Sequence, residues 1–154
     1  MFEKIELRKK LKNTSLVNAD YSKTVIDKLQ NIIKDKIVCT YIPLENENNI
    51  NKHLKGQSLL STTCLTEGEI KICIYEEPFE KNKFNFYQPV HLKIIDYVDI
   101  FLVPGVGFDK IGTRLGKGRG IYDLLLSKHL NSTFIGITDK NHIVDDIPFE
   151  NHDI

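Results

Sequence analysis

Apolar residues recur at helical spacing near the start of the chain and then give way to short β-branched runs. Glu3–Lys12 has the charge patterning of a helix, and Tyr21–Lys34 places Val25, Ile26, Leu29, Ile32 and Ile33 on one stripe. Two helices are therefore predicted first. The run KIVCTYIP (Lys36–Pro43) is stopped by proline, SLLSTTCL (Ser58–Leu65) reads as a strand, and EIKICIYEEP alternates Ile70, Ile72 and Ile74 with polar partners. DYVDIFLVPG ends an apolar run at Pro104–Gly105 and predicts a fully buried strand of a parallel sheet. After a glycine-rich stretch, IYDLLLSKHL puts Ile121, Leu124, Leu125 and His129 on one helical face, and STFIGIT predicts another buried strand. A strand, loop, helix, strand unit of this kind demands a right-handed crossover between two parallel strands.

This order predicts an α/β fold: a single layered domain spanning residues 1–154, with a mostly parallel central sheet flanked by helices in a Rossmann-like arrangement. The glycine stretch then lies at the carboxyl end of a central strand, where open sheets hold ligands. Composition adds little except by exclusion. With 21 basic and 21 acidic residues the charges cancel, so no overall field draws the protein to nucleic acid or to an anionic membrane. No stretch approaches the roughly 20 apolar residues of a membrane span, and the charged N-terminus lacks the apolar run of a signal peptide. A cytoplasmic monomer is the expectation. Cys39, Cys64 and Cys73 sit in apolar contexts without CxxC spacing, which reads as three buried thiols. His53, His91, His129, His142 and His152 show no metal-binding spacing.

The stretch Val103–Asp123, VPGVGFDKIGTRLGKGRGIYD, holds six of the nine glycines. It fails the Walker pattern, because Gly116–Lys117 is followed by Gly118 where a Ser or Thr would hold magnesium, and it fails GxGxxG. What remains is Gly116, Gly118 and Gly120 alternating with Lys117 and Arg119, preceded by Arg114 and followed by Tyr122 and Asp123. Alternate glycines allow positive φ and close backbone approach, and the cations between them suit phosphate oxygens. A helix starting near Gly120 would add its N–H groups and dipole. The alternatives are a flexible surface turn or a basic patch for RNA, although no aromatic platform interleaves the charges.

These residues resemble the 5-formyltetrahydrofolate cyclo-ligase family, also called 5,10-methenyltetrahydrofolate synthetases. That family's fingerprint runs approximately Pro-Gly-x-x-Phe-Asp, then Gly-x-Arg-Leu-Gly-x-Gly-x-Gly-x-Tyr-Asp. The chain gives Pro104, Gly105, Phe108 and Asp109, then Gly112, Arg114, Leu115, Gly116, Gly118, Gly120, Tyr122 and Asp123. KIELR (Lys4, Arg8), YIPLENE (Tyr41 to Glu47) and IPFENHD (Ile147 to Asp153) resemble further family segments. Gln88–Pro89 stands where the family usually has Glu-Pro, and Phe84, Phe86 or Tyr87 offers a stacking face where members often place tryptophan. Members usually continue past their His-Asp into a final strand, so a chain ending at Ile154 reads as a minimal or shortened version.

The resemblance implies ATP-dependent closure of 5-formyltetrahydrofolate to 5,10-methenyltetrahydrofolate, with ATP as co-substrate and Mg²⁺ as cofactor. It implies Arg114, Lys117, Arg119 and Tyr122 as catalytic residues. ATP would be bound by Lys4, Arg8, Arg114, Gly116, Lys117, Gly118, Arg119, Gly120, Tyr122 and Asp123. Glu47 and Tyr122 would face the folate, and Asp123 and Asp153 would hold the metal. Without the resemblance Lys4 and Arg8 read as a solvated helix face, Asp123 as a first-turn carboxylate, Asp153 as a terminal residue and Tyr122 as core packing. Asp109 reads as a turn carboxylate. A catalytically impaired folate- or nucleotide-binding module is the alternative.

Overall fold

The computed structural model describes residues 2–12, 21–45, 47, 49–54, 56, 58–117 and 120–148. The chain opens with α1 (Phe2–Lys12) and α2 (Lys23–Ile33), then runs through β1 (Ile37–Thr40), β2 (Leu59–Thr66), β3 (Glu69–Ile74), β4 (Phe79–Lys81), β5 (Tyr87–Pro89) and β6 (Ile94–Ile95). There follow β7 (Ile100–Pro104), β8 (Gly107–Asp109), β9 (Arg114–Leu115), α3 (Ile121–Ser127), β10 (Thr133–Ile137) and β11 (Ile143–Val144).

The main sheet has six strands in the order β10-β7-β1-β2-β3-β6. Its first four are mutually parallel, whereas β3 pairs antiparallel with β2 and β6 antiparallel with β3, so the sheet is mixed, with a parallel block and a flank of antiparallel pairings. As expected, β7 and β10 are parallel neighbours joined through α3. Because β2 lies on one side of β1 and β7 on the other, strand order reverses between β1 and β7. Such a reversal opens a crevice at the carboxyl ends of the two strands. Asp99 ties the opposite ends together: its Oδ2 accepts from Ile37 N at 2.8 Å, and its backbone carbonyl accepts from Thr133 N at 2.9 Å.

Each face of the parallel block carries its own core. On one face Val38, Ile100 and Leu102 meet Leu29 and Ile33 of α2; on the other Cys39, Phe101 and Val103 meet Leu125 and Leu126 of α3. All five residues of β7 are buried, which is why that run carries no polar alternation. Other expectations need correction. On α2, Leu29 and Ile33 are buried, but Val25 and Ile32 are exposed. The buried stripe is narrower than the apolar stripe because only one line of the helix touches the sheet. On α3 the inward pair is Leu125 and Leu126, while Leu124 is 62% exposed. The strand β10 is only partly buried, since it forms the edge of the sheet.

A third, smaller core lies beside the main sheet. The glycine stretch contains a hairpin, β8 and β9, which pairs with β11 in a three-stranded sheet. Leu11 of α1 packs there with Leu115 and Ile147. By this contact α1 is held against the glycine stretch rather than on the main sheet.

Candidate active site

A cavity of about 370 Å³ opens at the carboxyl ends of β1 and β7, where strand order reverses. Lys4, Arg8, Glu47, Arg114, Gly116, Lys117, Gly120, Tyr122 and Asp123 all line it. Residues of α1, of the segment after β1 and of the glycine stretch thus converge. Gly118, Arg119 and Asp153, singled out in the sequence, lie outside the described residues, as does His152.

The loop side is built around Arg114. Its Nε donates to Pro104 O at 2.7 Å, and its guanidinium lies over the Tyr122 ring, 4.9 Å from the centroid. The remaining N–H donors of that side chain are on its terminal nitrogens. Burial lowers the Arg114 pKa from its ordinary value, opposed by Tyr122, Asp123 and Glu47, and the side chain stays cationic. The Tyr122 phenol is pushed up by burial and hydrogen-bonds the Thr63 side chain of β2. The expected core packing of Tyr122 is real, because its ring joins the cluster around Phe101 and Leu125. It also presents a face to Arg114.

The glycines act in two different ways. Gly120 has φ +67 and caps α3, a backbone region that side chains disfavour. Gly116 has no positive φ; a Cβ there would stand 2.7 Å from Nη1 of Arg114. Close approach of a guanidinium, not left-handed backbone, is what position 116 accommodates.

Across the cavity, Lys4 is only 4% exposed, which a solvated helix face would not give. Arg8 donates from Nε to Gly116 O at 2.7 Å, linking α1 to the glycine stretch. Lys12 also lines the cavity and continues the same face at i+4 spacing, a signal present in the sequence but not used. Glu47 is fixed by Leu44 N, which donates to Oε1 at 3.0 Å, and Lys117 Nζ lies 3.8 Å from Oε2. Tyr41, Thr63, Phe84, Asn85, Phe86 and Tyr87 complete much of the wall. Burial pushes the Tyr41 phenol up.

The lining therefore carries five cations, Lys4, Arg8, Lys12, Arg114 and Lys117, against two carboxylates, Glu47 and Asp123. A chain without net charge concentrates positive charge at one place. Among the described residues no three His, Cys, Asp or Glu side chains gather to hold a metal. The donor chemistry nevertheless fits Mg²⁺, which takes one or two carboxylates and fills its remaining positions with phosphate oxygens and water. Asp123, in the first turn of α3 and on the cavity wall, is such a carboxylate.

Two flanking features are structural. Asp109 accepts from Thr113 N at 2.8 Å, Ile111 N at 3.1 Å and Ile147 N at 3.2 Å, as expected of a turn carboxylate. Burial alone would raise its pKa, but these bonds together outweigh burial and hold it below the usual range. Cys39, Cys64 and Cys73 are buried free thiols, and burial pushes Cys39 up to about 12.

Fold and cavity define an α/β protein with a cationic, partly aromatic cavity at the reversal point of its sheet. The chain belongs to the 5-formyltetrahydrofolate cyclo-ligase family, whose sequence profile matches residues 3–154. A 5-formyltetrahydrofolate cyclo-ligase of Haemophilus influenzae is 33% identical over 85 residues, 51% of this chain and 46% of that protein. The mouse protein of the same name is 31% identical over 85 residues, 48% of this chain and 42% of its own length. The chain thus matches less than half the length of these curated relatives. The solved structure of an Aquifex aeolicus 5,10-methenyltetrahydrofolate synthetase superposes with a TM-score of 0.76 at 27% identity, covering 98% of this chain and 85% of that one. A Mycoplasma pneumoniae 5,10-methenyltetrahydrofolate synthetase shares the fold, with a TM-score of 0.73 at 22% identity over 99% of this chain and 94% of that one.

Proposed function

We propose that the chain is an ATP- and Mg²⁺-dependent ligase that converts 5-formyltetrahydrofolate to 5,10-methenyltetrahydrofolate and releases ADP and phosphate. Family membership supports this reading. The observation that carries it is the convergence of α1 cations, loop cations, Glu47, Tyr122 and an aromatic turn on one cavity.

The reaction explains why such a site is needed. The formyl oxygen on N5 is a very poor leaving group, and N10 cannot expel it. Transfer of the γ-phosphoryl group to that oxygen makes an imidate-like phosphate. N10 attacks its carbon and loses a proton, the five-membered ring closes, and phosphate departs with the former formyl oxygen. Catalysis is then positioning and charge neutralisation. Lys4, Arg8, Arg114 and Lys117 hold the triphosphate, assisted by backbone N–H groups at Gly116 and Gly120. The same role extends to Gly118 and Arg119. Arg114, Lys117 and Arg119 neutralise charge on the moving phosphoryl group, and Tyr122 supports Arg114 and faces the folate. Glu47 accepts hydrogen bonds from the pterin or positions the formyl group. Asp123 and Asp153 would hold Mg²⁺, which supplies neutralisation of the phosphate oxygens.

The same proposal takes residues 1–154 as one domain with a Rossmann-like sheet, on the strength of the strand reversal between β1 and β7. It takes the protein as a cytoplasmic monomer acting on small molecules, not on nucleic acid or membrane. No helix among the described residues is long and apolar enough to cross a membrane. The test is direct: purified protein given 5-formyltetrahydrofolate and Mg·ATP should produce the methenyl-folate absorbance only when both substrates are present. Ligand-induced thermal stabilisation without product would instead identify a binding module that has lost turnover.

A further inference from the structure

The phenylalanines of the cavity wall come from one place, the turn between β4 and β5, which contributes Phe84, Asn85 and Phe86 and leads into Tyr87 at the start of β5. A short relay of side-chain amides fixes that turn. Within it, Asn82 Oδ1 accepts from Phe84 N at 2.9 Å and from Phe86 N at 3.4 Å, while Asn82 N donates to Phe86 O at 2.9 Å. Asn85 takes φ 72, so the turn has a defined left-handed step. Asn82 Nδ2 donates to Gln88 Oε1 at 2.8 Å, and the same oxygen accepts from Leu65 N at 2.8 Å. Gln88 Nε2 donates back to Leu65 O at 3.4 Å. Gln88 is itself buried, and Leu65 follows Thr63 by two residues on β2, the strand that bonds Tyr122. The main sheet therefore fixes the aromatic turn through two side chains. An amide suits position 88 because it both accepts from and donates to the same residue's backbone.

The cations of the cavity come from α1 and the glycine stretch, and its two phenylalanine rings, Phe84 and Phe86, from this hairpin. Disturbing the hairpin should therefore affect a planar ring and leave the phosphates in place. We propose that Asn82 and Gln88 are positioning residues that hold Phe84 and Phe86 as a stacking wall for the planar ring of the folate, and so set affinity for folate independently of ATP. This inference rests on the function proposed above.

The experiment is steady-state kinetics with each substrate varied, on wild type, Asn82→Ala, Asn82→Asp, Gln88→Ala and Phe84→Leu, with a thermal melt of each. Asn82→Ala and Gln88→Ala should raise KM for 5-formyltetrahydrofolate about tenfold and leave KM for ATP within about twofold, the size expected when one aromatic stacking contact is lost. Asn82→Asp keeps the acceptor for Phe84 N and Phe86 N and should recover part of the affinity. Phe84→Leu leaves the relay untouched and should give the same selective rise, so it decides the matter if the relay variants do not fold. An unchanged folate KM in a folded Asn82→Ala or in Phe84→Leu, or an ATP KM that rises in step, overturns the inference alone. Wild type that neither binds 5-formyltetrahydrofolate nor turns it over overturns the proposed function, and this inference with it.

Discussion

Arg114 is held by a carbonyl at Nε, stacked on Tyr122 and approached by the backbone of Gly116, so its guanidinium has a set position in the cavity. Preorganised cations of this kind contribute most where charge moves in a transition state. Arg114→Ala should therefore lower kcat/KM by about a hundredfold or more, while Lys128→Ala, beyond the cavity on the segment after α3, should stay within about twofold. Equal activities in a substrate-depletion assay would remove the loop from the mechanism. Asp109 makes a different prediction. Its folded pKa lies below the unfolded value near 3.9, so its stabilising contribution is complete above about pH 4 and is lost as pH falls through the lower folded value. The urea midpoint of wild type should decline below about pH 4, and Asp109→Asn should start lower at neutral pH and decline less. Parallel declines would contradict the assignment. Much at this scale was legible, because Arg114, Lys117, Glu47 and Asp123 have polar chemistry that sequence displays. Thr63 and Tyr41 were not singled out as wall residues. A residue on a buried strand says nothing of which distant helix it will meet.

At the scale of elements, charge patterning located α1, and hydrophobic patterning located α2, α3 and the principal strands of the main sheet, because burial there spans several residues. It failed where an element is short or one-sided. The two-residue β9 and three-residue β8 are too brief to show a period, so a hairpin inside the glycine stretch read as a plain loop. The inward face of α3 was misread because Leu124, Leu125 and Leu126 are equally apolar and only the sheet's position selects among them. The corrected face is testable by urea denaturation. Leu126→Ala, at 2% exposure on the inward side of α3, should cost about 2–5 kcal/mol. Leu124→Ala, at 62% exposure on α3, should stay within about 0.5 kcal/mol. A comparable loss at both positions would restore the original face.

For the molecule as a whole, a net charge of zero conceals a strongly cationic cavity, and only the fold brings its parts together. The small third core sets α1 against the glycine stretch, and strand reversal opens the crevice between β1 and β7. Sequence order gave the parallel block but not the antiparallel flank of β3 and β6, since alternation alone does not distinguish strand direction. The central claim is that this crevice places the terminal phosphate of ATP against a formyl oxygen. It is tested most directly by incubating the protein with Mg·ATP and 5-formyltetrahydrofolate carrying ¹⁸O in the formyl group, then analysing released phosphate by mass spectrometry. The account predicts one ¹⁸O atom in each phosphate formed with methenyl product. Product accompanied by unlabelled phosphate, or no product at all, would contradict it.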